Sequence, residues 1–127
     1  MSKTTPDDQR PEVWIGHIVL PTDRLEETEA YLRAVGMRPI LKNERLAILE
    51  LRAGTHLLLE TSDEVDPGDA PFDLMVDDID ASHARMQALG LAPSEIADGR
   101  IHRSFTLTEP AGHRITVNSS HNSGLPV

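Results

Sequence analysis

The chain repeats itself. His17 precedes Gly36 by nineteen residues, and Pro71 precedes Gly90 by the same nineteen. In that register Asp23 falls on Asp77, Leu25 on Ile79, Leu32 on Met86, Val35 on Leu89, Met37 on Leu91 and Pro39 on Pro93. Further on the register slips by four residues; Gly54 then falls on Gly112, and Leu57 and Leu59 fall on Ile115 and Val117. Agreement over a helix cap, a helix face and a turn requires two copies of one structural unit.

Each copy reads strand, helix, strand, strand, strand. Residues 13–20 are apolar and β-branched and predict a strand, which Pro21, Thr22 and Asp23 stop. Asp23 followed by Glu26 has the spacing of a capping box. The helix it opens carries Leu25, Thr28, Leu32 and Val35 on one face, with Gly36 as its C-terminal cap. Strands are predicted over 37–41, 46–51 and 56–60. Residues 62–71 are acidic and rich in turn formers, the expected linker. The second copy has a strand over 72–76, a helix over 77–89 closed by Gly90, and strands over 94–97, 102–108 and 113–118. The expected organisation is a flexible arm over 1–12, one domain over 13–119 with units 13–61 and 72–119, and a tail over 120–127. The fold class is α+β: two tandem βαβββ units whose curved mixed sheets surround a cavity, with helices on the outer face.

Composition narrows the function. The 127 residues fit one domain with a real core. A net charge of −9 makes a nucleic-acid backbone a poor partner. Without cysteine there is no disulfide, thiolate catalysis or cysteine-based zinc site. The polar N-terminus lacks a signal-peptide core and no apolar run approaches a membrane span, so a cytoplasmic protein without a membrane partner is expected.

Side chains alternate across a strand, so each sheet has two faces. Ile18, Leu20, Ala47, Leu49, Leu51, Leu57 and Leu59 fit the helix-packed face of the first unit. Phe72, Leu74, Val76, Phe105, Leu107, Ile115 and Val117 fit that of the second. The opposite faces carry His17, Val19, His56, Leu58 and Glu60, then Asp73, Met75, His102, Ser104 and Thr106, then Arg114, Thr116 and Asn118. That mixture suits the wall of a ligand cavity; the plain alternative is a solvated surface. The expected ligand-binding residues are His17, His56, Glu60, Asp73, His102, Ser104, Thr106, Arg114, Thr116 and Asn118. With no aromatic among them, the ligand is expected to be small and polar or oxygen-rich rather than a large flat ring system, and the sign of its charge is open.

Three segments carry a family resemblance: GHIVLPTDRLEETEAYLRAVGM, FDLMVDDIDASHARMQALGL and FTLTEPAGHRITV. With the βαβββ repeat they resemble the vicinal-oxygen-chelate superfamily, which includes glyoxalase I, methylmalonyl-CoA epimerase, extradiol dioxygenases and the fosfomycin and bleomycin resistance proteins. The resemblance spans about residues 13–119. It implies a homodimer in many members, and in catalytic members a divalent metal held by four side chains that polarises vicinal oxygens. Those four positions fall here on His17, Leu58, Pro71 and Thr116, of which only His17 is a good metal ligand.

The other candidates each have an ordinary reading. His56 and Glu60 flank Leu58 and could shift a metal along the strand, or be solvated strand residues. Asp73 could replace the ligand lost at Pro71, or serve as a cap. His102 lies beside Ser104 and Thr106 on the pocket-facing side. His113 has the opposite parity and sits in the turn after Ala111 and Gly112, so it is expected to be exposed, as is His83 on a helix flank. His121 belongs to the tail or to a lid. The sequence therefore reads as a small-molecule-binding protein to which no cofactor is assigned, a divalent metal being left open. The alternative is a metal-dependent lyase, isomerase or dioxygenase with a displaced metal at His17, Glu60, Asp73 and His102. An enzyme without a metal is also open, with His17 or His102 as the candidate catalytic base near neutral pH.

Overall fold

A computed structural model describes residues 9–121, 124, 126 and 127. The predicted arm therefore falls largely outside the described residues, as does part of the predicted tail. The first unit runs β1 (His17–Thr22), α1 (Leu25–Val35), β2 (Arg38–Lys42), β3 (Leu46–Glu50) and β4 (His56–Thr61). The second runs β5 (Leu74–Val76), α2 (Ile79–Ala88), β6 (Ala97–Asp98), β7 (Arg103–Thr108) and β8 (Arg114–Ser119). The sheets have the orders β1-β4-β3-β2 and β5-β8-β7-β6. In each, the first strand pairs in parallel with the last, and the other pairings are antiparallel. The two sheets are neither closed nor strongly curled, so the surrounded cavity of the sequence expectation is not formed in that way.

The apolar faces pack as their alternation requires. Leu20, Ala47, Leu49, Leu57 and Leu59 from the first sheet join Phe105, Leu107, Ile115 and Val117 from the second in one core. Leu32 and Met86, matched in the repeat, are both buried from their helices. Each also closes its helix in the same way: Met37 N–H donates to Leu32 O at 3.1 Å, and Leu91 N–H to Met86 O at 3.0 Å. Gly36 and Gly90 supply the positive φ values, 134° and 78°, that these closures need. Val35 and Leu89 break the symmetry, since Val35 is buried and Leu89 is 55% exposed.

Three expectations need correction. Asp23 does not cap α1. The N-cap is Arg24, which makes no side-chain cap bond; its N–H donates instead to Thr22 Oγ1 at 3.0 Å. The repeat matches Arg24 to Asp78, which does cap α2 by accepting from Ala81 N–H at 3.0 Å. The first strand starts at His17 rather than at residue 13, leaving Val13, Trp14 and Ile15 exposed. His113 is not exposed: it is buried against Glu109.

The units are joined through their helices. Thr28 of α1 donates to Glu109, in the turn between β7 and β8, at 2.8 Å. Tyr31 Oη donates to Leu91 O at 2.9 Å. Arg85 of α2 donates to Ala34 O at 2.9 Å and Val35 O at 2.6 Å, which satisfies carbonyls at the C-terminal end of α1.

Candidate functional site

Strand register sorts the candidate residues into separate groups. On the open face of the second sheet, Met75 pairs with Asn118 and Asn118 with Ser104. Ser104 Oγ donates to Asn118 Oδ1 at 2.6 Å, and Asn118 Nδ2 donates to Asp73 Oδ2 at 2.9 Å. This chain fixes the Asn118 amide, the one buried member of the group, in a single orientation. His102 lies two residues before Ser104 on the same face. Its Nδ1 donates to Ser119 O at 2.7 Å, which leaves Nε2 as the lone-pair nitrogen of the neutral ring. The His121 ring lies 4.5 Å from that of His102, centre to centre. Thr106 and Thr116 pair directly one step along the sheet. Arg114 lies at the far end and is turned to Asp69, with Nε to Oδ1 at 3.0 Å.

The first sheet carries a polar row across all four strands. His17 pairs with His56, His56 with Glu50, and Glu50 with Arg38. The His17 and His56 rings are 5.9 Å apart, and His56 Nε2 lies 2.9 Å from Glu50 Oε2. Bonds from Arg38, and then from His56, hold the Glu50 carboxyl below its usual range. Sequence reasoning missed Glu50 and Arg38, although the buried alternation of Ala47 and Leu49 puts Glu50 on the open side. The next row, Val19, Leu58, Ile48 and Leu41, is apolar. Glu60 is exposed and pairs in register with Pro21 and Leu46, one row further on.

The residues at the four positions of the resemblance do not suit a metal. Leu58 is half-buried hydrocarbon, Pro71 sits in the loop before β5, and Thr116 offers one neutral hydroxyl. Among the described residues no three or more His, Asp or Glu side chains gather as a metal-holding group. No reaction step through a metal follows from this donor set.

A different hollow lies along the seam between the units. It measures about 790 Å³ and takes its walls from both sheets, with Ile18 and Leu51 on one side and Leu74, Val76 and Val117 on the other. Met37, Met75 and Met86 add flexible apolar surface. Asp73, Asp77, Arg52 and His121 also border it, and an ion pair from Arg52 to Asp77 at 2.8 and 3.2 Å joins the two units there. Of the predicted ligand-binding residues, only Asp73 borders this hollow. No local pattern in the sequence marks it, because it depends on how the two units sit together.

The buried polar centre lies elsewhere. Glu109 is 1% exposed and accepts from the N–H groups of Ala111 and His113, each at 3.0 Å, from Thr28 Oγ1 at 2.8 Å and from His113 Nδ1 at 2.6 Å. Burial alone would raise its pKa, but these donors outweigh it and hold the carboxyl below the usual range. Burial, then the Glu109 charge, pushes Tyr31 up to about 12. His83, expected at the surface, is half-buried and meets Phe105 edge-on at 5.1 Å.

No protein-family profile matches the chain, and no curated protein matches it in sequence. Solved structures do. A lactoylglutathione lyase from Agrobacterium tumefaciens superposes with a TM-score of 0.74 at 23% identity, covering 91% of this chain and 100% of the other. TnmS3, an antibiotic binding protein from Streptomyces, gives 0.73 at 22% identity, covering 89% and 100%. A member of the glyoxalase/bleomycin resistance protein/dioxygenase superfamily from Sphaerobacter thermophilus gives 0.71 at 14%, covering 85% and 98%. The tandem βαβββ architecture and these superpositions define the class: the chain has the vicinal-oxygen-chelate fold, that of the glyoxalase, bleomycin resistance and dioxygenase proteins.

Proposed function

We propose that the chain is a small-molecule-binding protein whose polar ligand sits on the open face of the second sheet. The observation that carries this reading is the hydrogen-bonded chain Ser104–Asn118–Asp73 beside His102. Its members are oriented before any ligand arrives, which lowers the ordering cost of binding. The neutral His102 ring accepts at Nε2, and the Asp73 carboxylate accepts. A ligand bearing hydroxyl or amine groups satisfies both, each bond contributing about 1 kcal/mol net.

A second copy of the chain completes the site. Val19 and Met75 stand 45% and 48% exposed on the two open faces, and Trp14 and Ile15 are exposed beside the first sheet. Exposed apolar residues on polar-rimmed faces mark an interaction surface. A homodimer should give a light-scattering mass near twice the 14.0 kDa chain mass, and a mass of 14.0 kDa at micromolar concentration would count against it.

The binding reading is tested by a thermal-shift screen of small polyols, amines and carboxylates, since a ligand for the folded state raises the melting temperature. Polar compounds should stabilise the protein, and the shift should vanish in His102→Ala. A polar-compound shift that persists unchanged in His102→Ala, or no polar compound giving a shift, rules the reading out.

A further inference from the structure

The seam hollow has a chemistry opposite to that of the open face. Its apolar walls are the part of the core that the fold leaves uncovered. Ile18, Leu51, Phe72, Leu74 and Val76 are only partly buried. On neighbouring positions of the same sheets, Leu20, Leu49, Leu57 and Ile115 are fully buried. The hollow's volume, about 790 Å³, is within the range of small-molecule sites. Methionine walls adapt to irregular shapes, and three methionines face this one.

Charge at the border selects the rest of the ligand. Arg52 is matched by Asp77, to which it is bonded through both terminal guanidinium nitrogens. Among the Asp, Glu, Lys and Arg side chains of the described lining residues, that leaves Asp73, whose carboxylate is bonded to the neutral Asn118 amide and not to a cation. The whole chain, at −9, adds a weaker pull of the same sign.

We propose that the seam hollow is a second binding site, for a small apolar cation. Its hydrocarbon body lies between the two units against Ile18, Leu51, Leu74 and Val76, and its ammonium-type head lies at Asp73. The Arg52–Asp77 pair spans the units at the same border. Both partners are largely exposed, so it contributes little and can part as a ligand enters. This site differs from the polar reading of the open face in its walls, most of which come from the opposite sheet faces, and the two sites meet at Asp73, so His102→Ala and the wall variants tell them apart.

Isothermal titration of the full chain tests it with decyltrimethylammonium, decanol and decanoate below their micelle or solubility limits, and with octyltrimethylammonium. Decyltrimethylammonium should bind about threefold or more tighter than decanol and about tenfold tighter than decanoate. Each added methylene should strengthen binding by about fourfold if the body is buried. Val76→Phe and Ile18→Phe narrow the hollow from opposite walls and should weaken decyltrimethylammonium at least about tenfold, while any polar-ligand shift lost in His102→Ala stays intact. Asp73→Asn should erase most of the preference for the cation over decanol. If one filling variant fails to fold, the other and Asp73→Asn still give the result. Absent binding, no chain-length dependence, equal affinity for all three head groups, or affinity unchanged in both folded filling variants would each overturn the proposal.

Discussion

The Thr28 hydroxyl donates to the Glu109 carboxylate at 2.8 Å across 81 residues of sequence, so the helix of the first unit is bonded to a turn of the second. Thr22 extends the link, with its hydroxyl 2.8 Å from that of Thr28. His113 closes it from the other side through both its backbone N–H and its ring. A carboxylate can be kept in a core only when its lone pairs are filled, and here four donors fill them.

Removing that carboxylate should be far costlier than removing one donor. Glu109→Ala leaves the donors of Thr28, Ala111 and His113 without their acceptor, and should cost about 3 kcal/mol or more. Thr28→Val removes one bond of similar shape and should cost about 1–2 kcal/mol. Urea denaturation of the two variants checks the order. Equal losses would mean that the network does not act as a unit.

Acid should act through the same group. The folded pKa of Glu109 lies below the ordinary carboxylate value, so between the two values the unfolded chain binds the extra proton. The stabilisation from Glu109 is therefore complete above the unfolded value, about 4.3, and is lost as pH falls through the lower folded one. The stability gap between the unaltered chain and Glu109→Gln should be constant near neutrality and narrow below about pH 4. Lowered Glu50, Asp77 and Asp80 titrate in the same window, but they are common to both proteins and cancel in the difference. A gap that widens in acid would show that Glu109 is not held as a carboxylate.

What could be read from the sequence was what obeys a local period. Leu20, Leu49, Leu57, Ile115 and Val117 declare the core face by alternation, and the shift that matches Leu32 to Met86 places both helices. His113 shares the parity of Ile115 and Val117, but its place just after a tight turn pointed to exposure. Its burial comes from Glu109 four residues earlier and from Thr28 in the other unit, a contact outside any strand or helix period. Asp23 misled because its spacing to Glu26 fits a cap, while the burial of Leu25 starts the helix one residue beyond Arg24. On the second sheet, Asp73, Ser104 and Asn118 were recognisable as one face; the order of their bonds was not, since it depends on pairing of β7 with β8 and on the path of the loop before β5.

Metal content follows from the donor set. With Leu58, Pro71 and Thr116 beside His17 in the four-position pattern, elemental analysis of protein purified without chelators should find well under one divalent ion per chain. One tightly bound zinc, nickel, manganese or iron would overturn this. In that case His17→Ala should lower the content, because a single imidazole contributes the best ligand of the four positions.

The two turn glycines matched by the repeat should respond unequally to alanine. Gly54 and Gly112 both hold positive φ, 88° and 100°, where a Cβ is strained. That common cost is about 1 kcal/mol. The surroundings differ. A Cβ on Gly54 meets nothing within 4 Å, whereas one on Gly112 would lie 2.8 Å from Cβ of Pro67. Pro67 belongs to the segment joining the units, where Gly68 O accepts from Arg114 N–H and Ala70 N–H donates to Arg114 O, each at 2.8 Å. The proline cannot retreat without disturbing those bonds. Gly112→Ala should therefore lose about 2–3 kcal/mol more than Gly54→Ala, measured by thermal or urea unfolding. Equal losses would mean that the linker yields freely and does not pack against the closing hairpin.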